Sequence, residues 1–232
     1  MLCAAYTLAQ VSLPLQTLTA QVAGEAGSNR VLDGQVQATN AYVEVTAERL
    51  RRASLAEADR ILRDPALQHA PSVEALVLAV FARHKREELE YLLIRVMDLF
   101  VLDRNGVPRA ELLEPNAYVF ERLAERYYSF VDPSLRYRVL LLTAERDSHA
   151  ARKMVQHGFA RVLTRLNEGG TSLTPAELQE ALVMCQVAAR FPHPATALGA
   201  ALVAEKARIP ELVQAARNAA RVTRTPAGEV NE

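Results

Sequence analysis

From Asn40 onward apolar residues recur every three or four positions, the period of one face of an α-helix. Between 41 and 63, Val43, Ala47, Leu50, Ala58 and Ile61 share a side, and the capping-box spacing of Ser54 and Glu57 offers a division into two short helices. Asp64-Pro65 ends the segment, because the residue before a proline avoids helical geometry. Ser72 is placed to cap a helix carrying Val73, Leu76, Val77, Val80 and Phe81. After the basic cluster Arg83-His84-Lys85-Arg86, Glu87 to about Phe100 repeats the pattern with Leu89, Leu92, Leu93 and Val96.

Asp103-Arg104-Asn105-Gly106 is a turn signal. Pro108 and Pro115 each suit a first helical position, the second opening a helix with Phe120, Leu123, Ala124, Tyr127 and Tyr128. Asp132-Pro133 starts one long helical stretch, Leu135 to about Leu166, which Gly169-Gly170 closes. Thr174-Pro175-Ala176-Glu177 combines a capping residue, a proline at the first position and the reciprocal glutamate. Its helix runs to about Arg190 with Leu178, Leu182, Cys185 and Ala189 inward, and Phe191-Pro192-His193-Pro194 breaks it. Two Ala-rich helices follow, near 195–207 and 210–222.

This pattern predicts a mainly α protein, a multi-helix bundle of seven to nine helices joined by short loops. The helical body covers 41–222, with a division near 169–173 as a variant, and 223–232 reads as a disordered tail. No 34- or 40-residue self-similarity is visible. The first 40 residues differ: Glu25 is the only acidic side chain before Arg30, and Thr, Gln, Ala and Gly dominate. Val11, Leu13 and Leu15 alternate as in an edge strand, and Asp33-Gly34 suits a hairpin turn. A heptad seam through Leu15, Leu18, Val22, Asn29, Leu32, Val36, Val43 and Leu50 competes as a coiled-coil arm. Against it, Gly24, Gly27 and Gly34 would each cost roughly 1 kcal/mol inside a helix.

Charge modifies this picture. The chain has 232 residues, with 27 basic and 27 acidic side chains, so the formal net charge is zero. That removes the overall basic footprint from which nucleic-acid binding is usually inferred. Twenty-four of the bases are Arg and three are Lys (Lys85, Lys153, Lys206), a bias that fits GC-rich coding as well as bidentate anion contacts. Neutrality arises by cancellation. From Arg136 to Arg165 there are seven basic and two acidic residues, whereas Asp98 to Glu125 carries six acids against three bases.

The two cysteines, Cys3 and Cys185, give neither a disulfide framework nor a CxxC metal spacing. The N-terminus lacks the charged and clean apolar regions of a secretory signal, and no run of 18 apolar residues exists. The expectation is a soluble cytoplasmic protein with no membrane partner.

Catalytic signatures are missing: no Gly-rich phosphate loop, HExxH or GxSxG is present. No two of the five histidines lie four apart, and no metal or other cofactor is expected. Glu145 and His149 do lie four apart, a spacing that more often makes a surface ion pair. Gly106 cannot be the sixth residue of a calcium loop, because Val101 and Leu112 would then take the carboxylate positions. A winged-helix reading of the same turn would make the acidic segment 85–98 the reading helix, which phosphate repels, so a plain helix–helix turn is expected.

Two basic features remain. At 100° per residue, Arg146, His149, Lys153, His157 and Arg161 form one helical stripe opposite Val155, Phe159, Val162 and Leu166. Such a stripe suits an anion or nucleic-acid phosphate, or an acidic surface on another subunit, and its plainest reading is a solvated helix face. Secondly, Val203 to Pro210 resembles the first helix and turn of a helix-turn-helix, with Glu211 to Asn218 in the place of a recognition helix. Lys206, Arg208, Arg217 and Arg221 would then be its nucleic-acid contacts. The pattern departs at Arg208, where a turn glycine is usual, and at Gln214, where an apolar residue is usual.

Taken together, these features point to a non-enzymatic regulatory or scaffolding protein acting by helix-mediated association, with a homo-oligomer or another protein as partner. DNA binding through the basic stripe is the alternative, and an enzyme with a site assembled from distant residues is the third.

Overall fold

The computed structural model describes residues 40–67, 72–168 and 172–224. The expected strand, the hairpin, the heptad arm as far as Val36, Cys3, the Gly169-Gly170 stop and the chain from 225 lie outside the described residues. Val43 and Leu50 of the seam are buried in the helix over 40–52, and Thr223 and Arg224 end the last helix where the tail was expected to begin.

Among the described residues every regular element is helical, and eleven α-helices are present instead of seven to nine. Helix α1 covers 40–52. Ser54 then caps α2, Leu55–Leu62, by accepting from the Glu57 amide, so the segment divides where the spacing suggested. Asp64-Pro65 leads into a single 3-10 turn, Pro65–Leu67. Helix α3 is Glu74–Phe81, and the Ser72 hydroxyl accepts from the Glu74 amide at its start. Helix α4, Arg86–Val96, ends in a wider π-turn, Met97–Val101.

In the turn that follows, Gly106 takes the positive φ of 76° that its place requires. The Asp103 carboxylate accepts from the Asn105 and Val107 amides there. This turn is not plain. It closes an isolated antiparallel bridge between Leu102 and Pro108, although no strand forms. Neither proline opens a helix: α5, Ala110–Leu113, begins two residues after Pro108, and α6, Ala117–Arg126, begins two after Pro115.

The largest correction lies beyond Asp132, which caps α7, Pro133–Arg146. The expected single stretch to Leu166 breaks at Asp147, whose carboxylate accepts from the His149 and Ala150 amides and starts α8, Ser148–Asn167. Apolar positions continue on both sides of the break, so periodicity alone could not locate it. The Thr174–Glu177 capping box forms in full and opens α9, Pro175–Arg190. Helices α10, Pro194–Ala207, and α11, Pro210–Arg224, complete the described chain.

The C-terminal half is a two-layer stack. Helices α7, α9 and α11 lie side by side in one layer, and α8 and α10 pack in the other. The hairpins α7–α8 and α9–α10 therefore repeat a pairing seen in α-solenoids, without sequence self-similarity. The N-terminal helices join this stack through α4 and α6, both of which pack on α7. Since α9 is covered by α7, α8, α10 and α11, its buried set is wider than the expected stripe. Ala181, Val183, Met184, Cys185, Val187 and Ala188 are buried, whereas Leu178, Leu182 and Ala189 are half-buried. None of the described helices is long and apolar enough to cross a membrane.

Candidate interaction surface

The break at Asp147 divides the expected basic stripe. Arg146 ends α7, while His149, Lys153, His157 and Arg161 lie on α8. Arg146 turns toward α5 and α6, donating to the Leu113 carbonyl at 2.9 Å and pairing with Glu121 at 3.5 Å. Glu145 does not meet His149. It receives both terminal nitrogens of Arg190. His157 stacks edge-on against Tyr128, ring centroids 4.8 Å apart.

Arg161 points into the protein. The Glu180 carboxylate, fully buried in α9, accepts two 2.8 Å bonds from Arg136 of α7 and another from Arg161 of α8. Arg136 also donates to the Phe130 carbonyl at 3.1 Å and to that of Val131. Burial works against the Arg136 cation, but Glu180 outweighs it and holds its pKa above the ordinary value. Glu90, buried in α4, fixes the same corner by accepting from the Val131 and Asp132 amides and from Arg86. Tyr127 packs beside this network, and burial pushes its phenol up to about 12, so it stays protonated.

This network belongs to the fold. Of the seven bases between Arg136 and Arg165, five (Arg136, Arg138, Arg146, Arg161 and Arg165) bond carboxylates of the same chain. Asp98 and Glu121 of the acidic segment are two of those partners. Most of the basic segment is thus neutralised within one molecule, partly by the acidic segment and partly by Glu177 and Glu180 of α9. The charge signal was present, but linear spacing could not tell an internal partner from an external one.

Two surfaces remain open on either side of α8. The first is a groove of about 450 Å³ between α6, α7 and α8. Phe120, Ala124, Leu142 and Met154 line it together with Glu121 and Glu125 of α6, Arg146 and Asp147 at the α7–α8 break, and Lys153 of α8. The second is the outer face of α10. Leu198 and Leu202, one helical turn apart, are 61% and 42% exposed, and Ala195 and Ala201 continue the apolar face. The chemistry of both is apolar contact edged by charge, and among the described residues no cluster of metal-ligating side chains exists. The Leu198–Leu202 face was missed in the sequence because Ala-rich helices show little contrast between inner and outer positions.

The second nucleic-acid candidate does form two helices joined by a tight turn. Arg208 adopts the left-handed conformation, φ 54°, at the position where a glycine is usual. Leu212, Ala216 and Ala219 face the core, whereas Gln214 and Arg217 are exposed. Lys206 and Arg208 line a cleft with Leu166, Glu205 and Leu202, the last shared with the outer face of α10, and Arg221 is exposed on α11.

Comparison with models of protein families, with curated proteins and with solved structures gives no match for this chain.

Proposed function

We propose that the chain is a non-enzymatic regulatory or scaffolding protein that acts by helix-mediated association with a second copy of itself in the cytoplasm. The observation that carries this reading is the exposed Leu198–Leu202 face of α10, on the outside of a layered helical stack. Fully burying an exposed leucine contributes about 1.5–3 kcal/mol, so covering the half of each that is still exposed contributes about 1 kcal/mol or more apiece. Layered helical stacks present extended surfaces suited to protein partners. The internal pairing of most bases between Arg136 and Arg165 further favours a protein partner, since phosphate would have to displace carboxylates already bonded.

Light scattering during size exclusion tests the reading. A mass above one chain that rises with concentration supports it, and one chain at every concentration overturns it. DNA binding is the second reading, favoured by the left-handed Arg208 turn between α10 and α11. A DNA gel shift with a steep salt dependence would place it first. The variant carrying Arg146→Ala, Lys153→Ala and Arg161→Ala, compared with one carrying Lys206→Ala and Arg217→Ala, would then say which basic feature binds.

A further inference from the structure

We infer that α10 of a second copy seats in the groove between α6, α7 and α8, and that this contact is made reciprocally in a dimer. The inference rests on the self-association proposed above and gives it a surface. The groove has an apolar lining with Glu121 and Glu125 of α6 on one side and Lys153 of α8 on the other, while Arg146, beside Asp147, is already paired with Glu121. Its fitting occupant is a helix with a narrow apolar line, an acid on one flank and a base on the other. Helix α10 has that pattern. At 100° per residue, Glu205 and Lys206 fall on opposite sides of the line through Leu198 and Leu202.

Lys153 and Glu205 match as unpaired charges, whereas Glu121 and Glu125 already pair with Arg146 and Arg122 at the exposed surface and would exchange partners to meet Lys206. Lys153 in the groove, and Glu205 and Lys206 on α10, are exposed and make no ion pair among the described residues. A helix can lie in a groove in two opposite directions. Only one brings Glu205 to Lys153 and Lys206 to Glu121 and Glu125, so charge selects the direction.

Both surfaces border the same exposed ridge of α8, formed by Lys153, Gln156, His157 and Ala160. Lys153 is on the groove side. On the other side Gln156 meets His193 at 3.4 Å, and Gly199 of α10 lies so close to Phe159 that an added Cβ would stand 2.9 Å from the ring. One face of the molecule therefore offers both halves of the contact, which is what a self-complementary dimer needs.

Sedimentation velocity on the full chain over a range of concentrations tests this. The pair Leu198→Asp with Leu202→Asp is expected to weaken self-association at least about a hundredfold. Lys153→Glu alone and Glu205→Lys alone are each expected to weaken it roughly tenfold, and the two together to return to within about threefold of the wild type. All four side chains are exposed, and circular dichroism confirms that each variant is folded. A wild type that is monomeric throughout removes both the self-association reading and this inference. A self-associating wild type that the leucine pair leaves unchanged overturns the inference while leaving self-association standing through another surface. Weakening by both single reversals without recovery in the double overturns the Lys153–Glu205 pairing.

Discussion

Replacing Glu180 by glutamine removes one negative charge and little volume at a point where three helices meet. The buried carboxylate holds Arg136, whose side chain is 6% exposed, and Arg161, which is 30% exposed. Loss of one partner from a buried ion pair costs about 3–5 kcal/mol, because the other charge stays behind uncompensated. Arg136 keeps the Phe130 and Val131 carbonyls in the variant, and Arg161 reaches solvent, so the lower end applies. We expect Glu180→Gln to lower the unfolding free energy by about 3 kcal/mol, a large part of the 5–15 kcal/mol usual for a folded protein. At roughly 2–4 °C per kcal/mol for this chain length, the midpoint falls by about 6–12 °C. Urea unfolding followed by circular dichroism measures it. Arg136→Met with Glu180→Leu should cost less than Glu180→Gln alone, since no orphaned charge remains on α7. A loss below about 1 kcal/mol for the single variant, or a double variant less stable than the single, would refute the reasoning.

Three further outcomes follow from particular residues. Asp147→Ala removes the acceptor of two amides at the start of α8 and should lower stability by about 1 kcal/mol, read from the urea midpoint. For Asp59, burial pushes the pKa up, but hydrogen bonds from Arg95, Tyr91 and Arg63 outweigh it and hold the carboxyl below its ordinary 3.8. A carboxylate whose pKa is depressed by folding contributes stability that is present above its unfolded value and lost as pH falls through the folded one. The stability gap between wild type and Asp59→Asn should therefore narrow as pH drops below about 4, and a constant gap across that range would contradict it. Burial pushes the Cys185 thiol up to about 12, so in a Cys3→Ser background it should resist alkylation at pH 8 until urea unfolds the chain.

Much of the helical architecture was legible because its boundaries carry local chemistry. Ser54, Asp132 and the Thr174–Glu177 box each cap a helix by bonding its first amides, which one residue and its near neighbours suffice to specify. Asp147 carries the same chemistry but sits inside a continuous apolar pattern, from Leu142 through Ala151, Met154 and Val155, and the longer period masked it. Its omission placed Arg146 on the same helix as Lys153, so one stripe was expected where two helices share the residues. Glu180 was less legible still. A glutamate at the sixth position of a helix with a surface-like start reads as solvated, and only the α7–α8–α9 stack shows that it is enclosed. The layered arrangement itself was not written in a repeat, because each hairpin buries a different set of side chains.

Chemical coupling gives the most direct test of association through α10 and the groove. With only three lysines in the chain, a carbodiimide that joins amines to carboxylates at contact distance yields few products. Lys85, 3.2 Å from Glu88 in the same chain, is an internal control. A mixture of isotopically light and heavy copies separates links between molecules from links within one. We expect light–heavy links from Lys153 to Glu205 and from Lys206 to Glu121 or Glu125. Strong Lys85–Glu88 coupling with no light–heavy link from Lys153 or Lys206 would contradict it.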